Sequence, residues 1–330
     1  MYLVKKMGNF TDIDKQFNEI VEPKVQLLLS QNNGNYNNLQ NNIDQLMRKE
    51  LSSFRIDFMK KIHNITGRNL ICYVSSFLQG MNQNPEYSIN DNDMNGFMNA
   101  VSNLDRTKGL DLILHTPGGV VTATESIVSY LRKMFNNDIR VIVPHMAMSA
   151  GTMIACSSRE IILGKESSLG PIDPQYRNVP AQGVIKEFER AIKETQIDPN
   201  ASLIWREVIQ QYRPTFLGEC ENAVKLSYNL VESWLLTCMF KKSKDKHNKV
   251  KRILDELASH DASKVHDRHY DYNKCKQLGL KVIRLESDQK LQDAILSLYH
   301  AYLLSIYRIP TAIKFIENHE GQTFTINGKR

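Results

Sequence analysis

Leu110-Asp111-Leu112-Ile113-Leu114-His115-Thr116-Pro117-Gly118-Gly119 and Ile139-Arg140-Val141-Ile142-Val143-Pro144-His145-Met146-Ala147-Met148-Ser149-Ala150-Gly151-Thr152 decide the reading of this chain. Each is a short apolar run that ends in a turn of small residues. Runs of this length, rich in Ile, Val and Leu and bounded by Gly or Pro, read as buried strands. Between them, Thr122 to Phe135 sets Ile127, Val128, Leu131 and Phe135 at helical spacing. A third run, Glu160-Ile161-Ile162-Leu163, follows a helix that starts near Ser149. Strands separated by helices need crossover connections, which predicts an α/β fold with a mainly parallel sheet.

The two turns carry the chemistry. Acyl transfer needs a hydroxyl on a sharp turn and backbone N–H donors to hold an oxyanion. Glycines at 118 and 119 let backbone approach a substrate where a side chain would block it. Ser149 opens a helix, where the dipole favours developing negative charge. Each turn alone is also an ordinary structural device, a Pro-Gly turn or a helix N-cap. Together, after consecutive strands, they put a candidate site at the carboxyl edge of the sheet, where open α/β sheets bind ligands.

The 330 residues suit one large or two modest domains, and 42% hydrophobic with 24% charged residues is ordinary globular usage. No apolar stretch approaches the roughly 18 residues that span a bilayer. Met1 to Phe10 lacks the apolar core of a signal peptide, so a soluble cytoplasmic protein is expected. Cys72, Cys156, Cys220, Cys238 and Cys275 are widely spaced without C-x-x-C, which suits buried thiols rather than disulfides or zinc. The net charge of +6 has a visible source in the basic run Lys241 to Arg252. Without interleaved aromatics or a nucleic-acid motif, that run reads as a solvated connection, and no nucleic-acid partner is expected.

Outward from the centre, three regions are expected. Residues 1–65 form an N-terminal helical region with helices at about 11–30 and 42–62 and an Asn-rich loop at 31–38. Residues 66–240 form the catalytic domain, opened by the turn at 66–69 and a strand at 70–74. Its later part is a Gly- and Pro-stiffened loop at 164–175 and helices at about 182–195, 202–212 and 218–240. Residues 241–330 form an α/β extension with a helix at about 247–259, a strand at 280–285 and a helix at about 288–306.

His115-Thr116-Pro117-Gly118-Gly119, Ser149-Ala150-Gly151-Thr152 and Ser168-Leu169-Gly170-Pro171-Ile172-Asp173-Pro174-Gln175 together resemble the serine dehydrogenase proteinase family. That family belongs with the Clp peptidases and signal peptide peptidase A in the Clp/crotonase fold. The resemblance runs from about Thr66 to Val282. It implies a spiral of ββα units, with N- and C-terminal helical additions here, assembling as a ring or trimer. It further implies Ser149 as nucleophile and N–H groups near Gly118 and Gly119, with that of Ala150, as oxyanion donors. No G-x-G-x-x-G follows a strand, so the dehydrogenase in the family name finds no support.

The general base is less plain. Clp peptidases place a histidine shortly after the serine, and this chain has Pro171-Ile172-Asp173-Pro174 there. A carboxylate is a poor base for a hydroxyl unless burial raises its pKa, so Asp173 is either structural or orienting. Signal peptide peptidase relatives use a Ser-Lys dyad, which requires a desolvated lysine. Lys186 and Lys193 lie on a helix expected to bury Val184, Ile185, Phe188 and Ile192, and Lys193 fits the dyad spacing better. His115 and His145 flank the turns and are either structural or substrate-binding. His266 and His269 lie far along the chain. They could fold back to complete a triad, whereas as H-x-x-H they lack a third metal ligand.

These readings lead to a serine peptidase or amidase that uses Ser149, with Lys193 and Asp173 as candidate partners and no metal or organic cofactor. Its substrate would be an extended peptide or protein laid beside Gly118-Gly119 by strand addition, and the chain would form a homo-oligomer. Two rivals stand beside it: a crotonase-like acyl-CoA enzyme, and a non-catalytic assembly module of the same fold.

Overall fold

The computed structural model describes residues 8–31, 36–80, 84–176, 179–259 and 265–328. Two helices lead, α1 (Phe10–Ser30) and α2 (Tyr36–Thr66); residues 32–35 of the expected Asn-rich loop lie outside the described residues. Next come β1 (Asn69–Ser75), α3 (Asp93–Val101), β2 (Leu110–His115), α4 (Val121–Phe135) and β3 (Ile139–Val143). The short β4 (Met146–Ala147) enters α5 (Ala150–Cys156), followed by β5 (Glu160–Leu163) and the short β6 (Ser168–Leu169). A two-stranded ladder, β7 (Gln175–Tyr176) with β8 (Val179–Pro180), opens the helical part. That part holds α6 (Ala181–Ile197), α7 (Ala201–Ile209), α8 (Phe216–Trp234) and α9 (Lys246–Leu257). The chain closes with α10 (Tyr272–Leu278), β9 (Val282–Arg284), α11 (Gln289–Arg308), β10 (Ala312–Asn318) and β11 (Thr323–Asn327).

The main sheet has the order β11-β10-β1-β2-β3-β5-β9. The strands from β1 to β9 run parallel, and β10 and β11 extend the sheet antiparallel beyond β1. Successive strand residues point to opposite faces, so two cores form. Ile71, Tyr73, Leu112 and Leu114 pack with α3, α4, α5 and α9 on one face. Leu70, Cys72, Val74 and Ile113 pack with α1, α2 and α11 on the other. A buried Leu, Ile or Phe contributes about 1.5–3 kcal/mol, so both filled faces stabilise the sheet. Asp111 breaks the apolar run of β2 yet is fully buried, because Arg68 and Arg140 both grip its carboxylate at 2.6–2.7 Å.

A second, smaller ladder crosses the carboxyl edge. Thr116 bridges Ala147, β4 pairs with β6, and Leu169 bridges Tyr270. Each of β2, β3 and β5 thus breaks into a short segment of this ladder, and after β2 and β3 a helix follows. This is the mainly parallel α/β architecture expected from the sequence. The expected helix at 218–240 ends as a π turn at Leu235–Met239. The β10–β11 hairpin is not among the elements expected from the sequence. All five cysteines are free thiols, and among the described residues no helix is long and apolar enough to cross a membrane.

Candidate active site

Ser149 stands between β4 and α5 with φ 50° and ψ −115°. A non-glycine residue there carries roughly 1–3 kcal/mol of backbone strain, which persists only where the surroundings impose it. They do so on both sides. Met148 N–H donates to Thr116 O, and Gly151 N–H donates back to Met148 O, closing a tight turn around the serine. Among the described residues, the Ser149 hydroxyl has no hydrogen-bond partner, and the residue is only half-buried.

Gly118 and Gly119 lie against that turn. Gly118 adopts φ 102°, and a Cβ on it would stand 2.7 Å from Ser149 Cβ and 3.0 Å from Ala150 N. Its N–H donates to Thr116 Oγ1 at 3.1 Å. On the far side, Ile89 N–H donates to Gly118 O at 2.7 Å and Val120 N–H donates to Ile89 O at 2.9 Å. Because N–H and C=O groups alternate sides along extended backbone, the Gly119 N–H faces away from Ile89. Among the described residues neither the Gly119 N–H nor the Ala150 N–H has an acceptor. Ile89 also occupies one edge of this stretch, so strand addition has only the Gly119 side to use.

The small ladder carries the next pieces. Gly170 rests on Met148 and its N–H donates to Thr152 Oγ1 at 2.9 Å, which ties β6 to the serine turn. Asp173, 1% exposed, follows three residues later. Its Oδ1 accepts from His266 Nδ1 at 2.8 Å and its Oδ2 from Gln175 Nε2 at 3.0 Å. The Leu169–Tyr270 bridge is antiparallel, and counting four residues outward on each strand arrives at Asp173 and His266. His266 Nε2 has no partner among the described residues, and the side chain is 26% exposed. His269, by contrast, is engaged by Ser168 Oγ at 2.7 Å.

The remaining candidates stand elsewhere. Lys193 is exposed on α6, so one chain alone gives it none of the desolvation a lysine base needs. Of the residues expected to bury that helix face, Val184 is buried but Ile192 is 60% exposed. His115 shares the Ile113 face of β2 and meets α11, with its ring 5.2 Å from Tyr299 and its Nδ1–H donating to Met146 O at 3.2 Å. Burial and the neighbouring His145 hold its pKa down to about 3, so it is a neutral ring. His145 stacks on it at 5.5 Å and pairs with the Tyr299 hydroxyl at 3.0 Å. Both histidines therefore pack beneath α11, on the sheet face opposite the helix that Ser149 opens. Among the described residues no three His, Cys, Asp or Glu side chains are arranged to hold a metal.

A parallel sheet whose strands break into a second ladder at the carboxyl edge, with a strained serine at one break, defines an α/β protein of the Clp/crotonase class. Within that class, the chain belongs to the ClpP-like SDH-type serine proteinase family, whose sequence model matches residues 42–320. It is also similar to the uncharacterized protein MJ0137 of Methanocaldococcus jannaschii, with 30% identity over 243 residues, 72% of this chain and 76% of that protein. A second protein of that organism, the uncharacterized MJ1495, is 31% identical over 175 residues, 52% of this chain and 51% of its own.

Proposed function

We propose that the chain is a serine peptidase with the order Ser149, Asp173, His266. The strained conformation of Ser149 against Gly118 carries the reading, because a turn that costs free energy and presents an unbonded hydroxyl is what a nucleophile requires. His266 acts as general base. Its Nδ1–H is committed to Asp173, which fixes the tautomer and leaves Nε2 to take the serine proton. Asp173 orients the ring and balances the imidazolium charge. Buried and held by Gln175, it has no freedom to do more.

Ser149 Oγ attacks the scissile carbonyl as its proton passes to His266, and the new oxyanion is held by the Gly119 and Ala150 N–H groups. Gly118, whose N–H is spent on Thr116, contributes closeness of approach rather than a donor. His266 returns the proton to the leaving amine as the C–N bond breaks. It then takes a proton from water, which attacks the acyl carbonyl, and gives it to Ser149 Oγ as the ester bond breaks and the acid departs. This chemistry calls for no metal or organic cofactor. The substrate is an extended peptide segment on the Gly119 side. Assembly into a homo-oligomer is supported by the apolar surface of α6 and α7, where Ile192, Ile197, Leu203 and Ile204 are 60–85% exposed.

The test is labelling by a fluorophosphonate probe of wild type and Ser149→Ala. Labelling that disappears in the variant supports the peptidase. A folded, assembled wild type that never labels overturns it in favour of the scaffold or acyl-CoA reading.

A further inference from the structure

A buried ion pair lies outside the proposed triad. Lys314 on β10 and Asp93 at the start of α3 are both fully buried, with Nζ and Oδ1 2.7 Å apart. Removing two charges from water costs several kcal/mol per ion, and a well-packed apolar pair in their place is often as stable or more so. Stability is therefore a poor reason for the pair. Its hydrogen bonds suggest a better one.

Lys314 Nζ also donates to Ser88 O at 2.8 Å. Asp93 Oδ2 accepts from Tyr73 Oη at 2.7 Å and from the Asn90 N–H at 3.1 Å. Ser75 Oγ donates to Tyr87 O at 2.8 Å. Side chains from β1, β10 and α3 thus pin residues 87, 88 and 90. Ile89, held between them, bonds both Gly118 and Val120. The fit at Gly119 is tight, since a Cβ there would stand 2.3 Å from Ile89 N and O. The direction in which the Gly119 N–H points is set by this contact.

We infer that Lys314, Asp93 and Tyr73 form a positioning network for the Gly119 oxyanion donor, acting through the Tyr87–Asn90 segment. The inference rests on the peptidase reading for its catalytic consequence, but not for its mechanical one. None of the three residues touches the substrate. Each sets where the donor lies when the oxyanion forms, so its loss slows the chemical step and leaves substrate affinity alone.

Tyr73→Phe removes one hydroxyl and keeps the ring, and Lys314→Met with Asp93→Leu removes the whole charged pair while avoiding a lone buried charge. Two measurements are made on each. Inactivation by a fluorophosphonate is expected to show a maximal rate about 10- to 100-fold lower with the probe's half-saturating concentration unchanged. Amide hydrogen exchange is expected to accelerate at Ile89 and Val120 while β2 and β3 stay protected. Unchanged inactivation in a wild type that labels overturns the inference, and so does unchanged exchange at Ile89 and Val120. A wild type that does not label overturns the peptidase reading instead, and exchange then still decides whether the network holds the loop.

Discussion

Asp173 Oδ1 and His266 Nδ1 meet at 2.8 Å although 93 residues separate them in the chain. What joins them is the antiparallel bridge between Leu169 and Tyr270, which carries residues 265–270 alongside the loop that follows β6. The pair is thus fastened to the same small ladder that shapes the serine turn.

His266→Ala is expected to lower fluorophosphonate labelling of Ser149 by about 10²–10⁴-fold, the usual worth of a positioned base. Asp173→Asn should fall by a similar factor, because the amide presents the wrong partner to Nδ1. Lys193→Ala should label at the wild-type rate. The reverse pattern, with Lys193→Ala silent and His266→Ala normal, would transfer the base to α6.

Gly119→Ala should cost about 2 kcal/mol or more in urea unfolding, because the methyl group meets Ile89 backbone rather than a side chain that can turn away. Labelling should fall with it as Ile89 is pushed off residues 118–120. Gly118→Ala adds backbone strain at φ 102° and a contact with Ser149 Cβ, so its loss of labelling should be at least as large. Wild-type labelling in either variant would contradict the placement of this loop.

Acid should destabilise the protein through His115. Unfolded, the ring takes a proton near 6.5; folded, it does so only at about 3. Between those values the unfolded chain binds more protons, so stability drops as pH falls from about 6.5 towards 3, with about 2 kcal/mol gone by pH 5. Burial lowers the His145 pKa as well and adds in the same direction. His115→Phe keeps the aromatic contacts with Tyr299 and Phe77, and Met146 O retains the Thr116 N–H. Its urea midpoint should therefore change less between pH 7 and pH 5 than that of wild type. Equal slopes would contradict the assignment.

Replacing Leu203 and Ile204 by aspartate should lower the solution mass measured by light scattering without moving the thermal midpoint of the monomer fold, since both side chains are exposed in the single chain. An unchanged mass would remove α7 from the assembly surface.

The central strands were legible because β2 and β3 are apolar runs closed by glycine or proline, and the serine turn because it sits at the end of one of them. The place of His266 is not legible in the sequence, since it depends on a bridge between residues with no shared local pattern. The β10–β11 hairpin was missed for a different reason. Every residue of β10 is buried, yet Lys314, Glu317 and Asn318 interrupt its hydropathy. Lys314 is matched by Asp93, and Glu317 by Arg55 through two bonds of 2.7 and 2.9 Å. Burial secured by a distant counter-charge leaves no trace in local hydropathy.

The contact between Lys314 and Asp93 spans 221 residues. On a ribosome adding roughly 5–20 residues per second, the lysine emerges on the order of ten seconds or more after the aspartate. Until then β1 lacks its β10 neighbour, and Ser88 lacks the ammonium group that braces it. Ser149, Asp173 and His266 are all made earlier. A hydrolytic chain wired in this way would be born with its reactive parts present but unbraced, and would complete its working geometry only once β10 had emerged behind them.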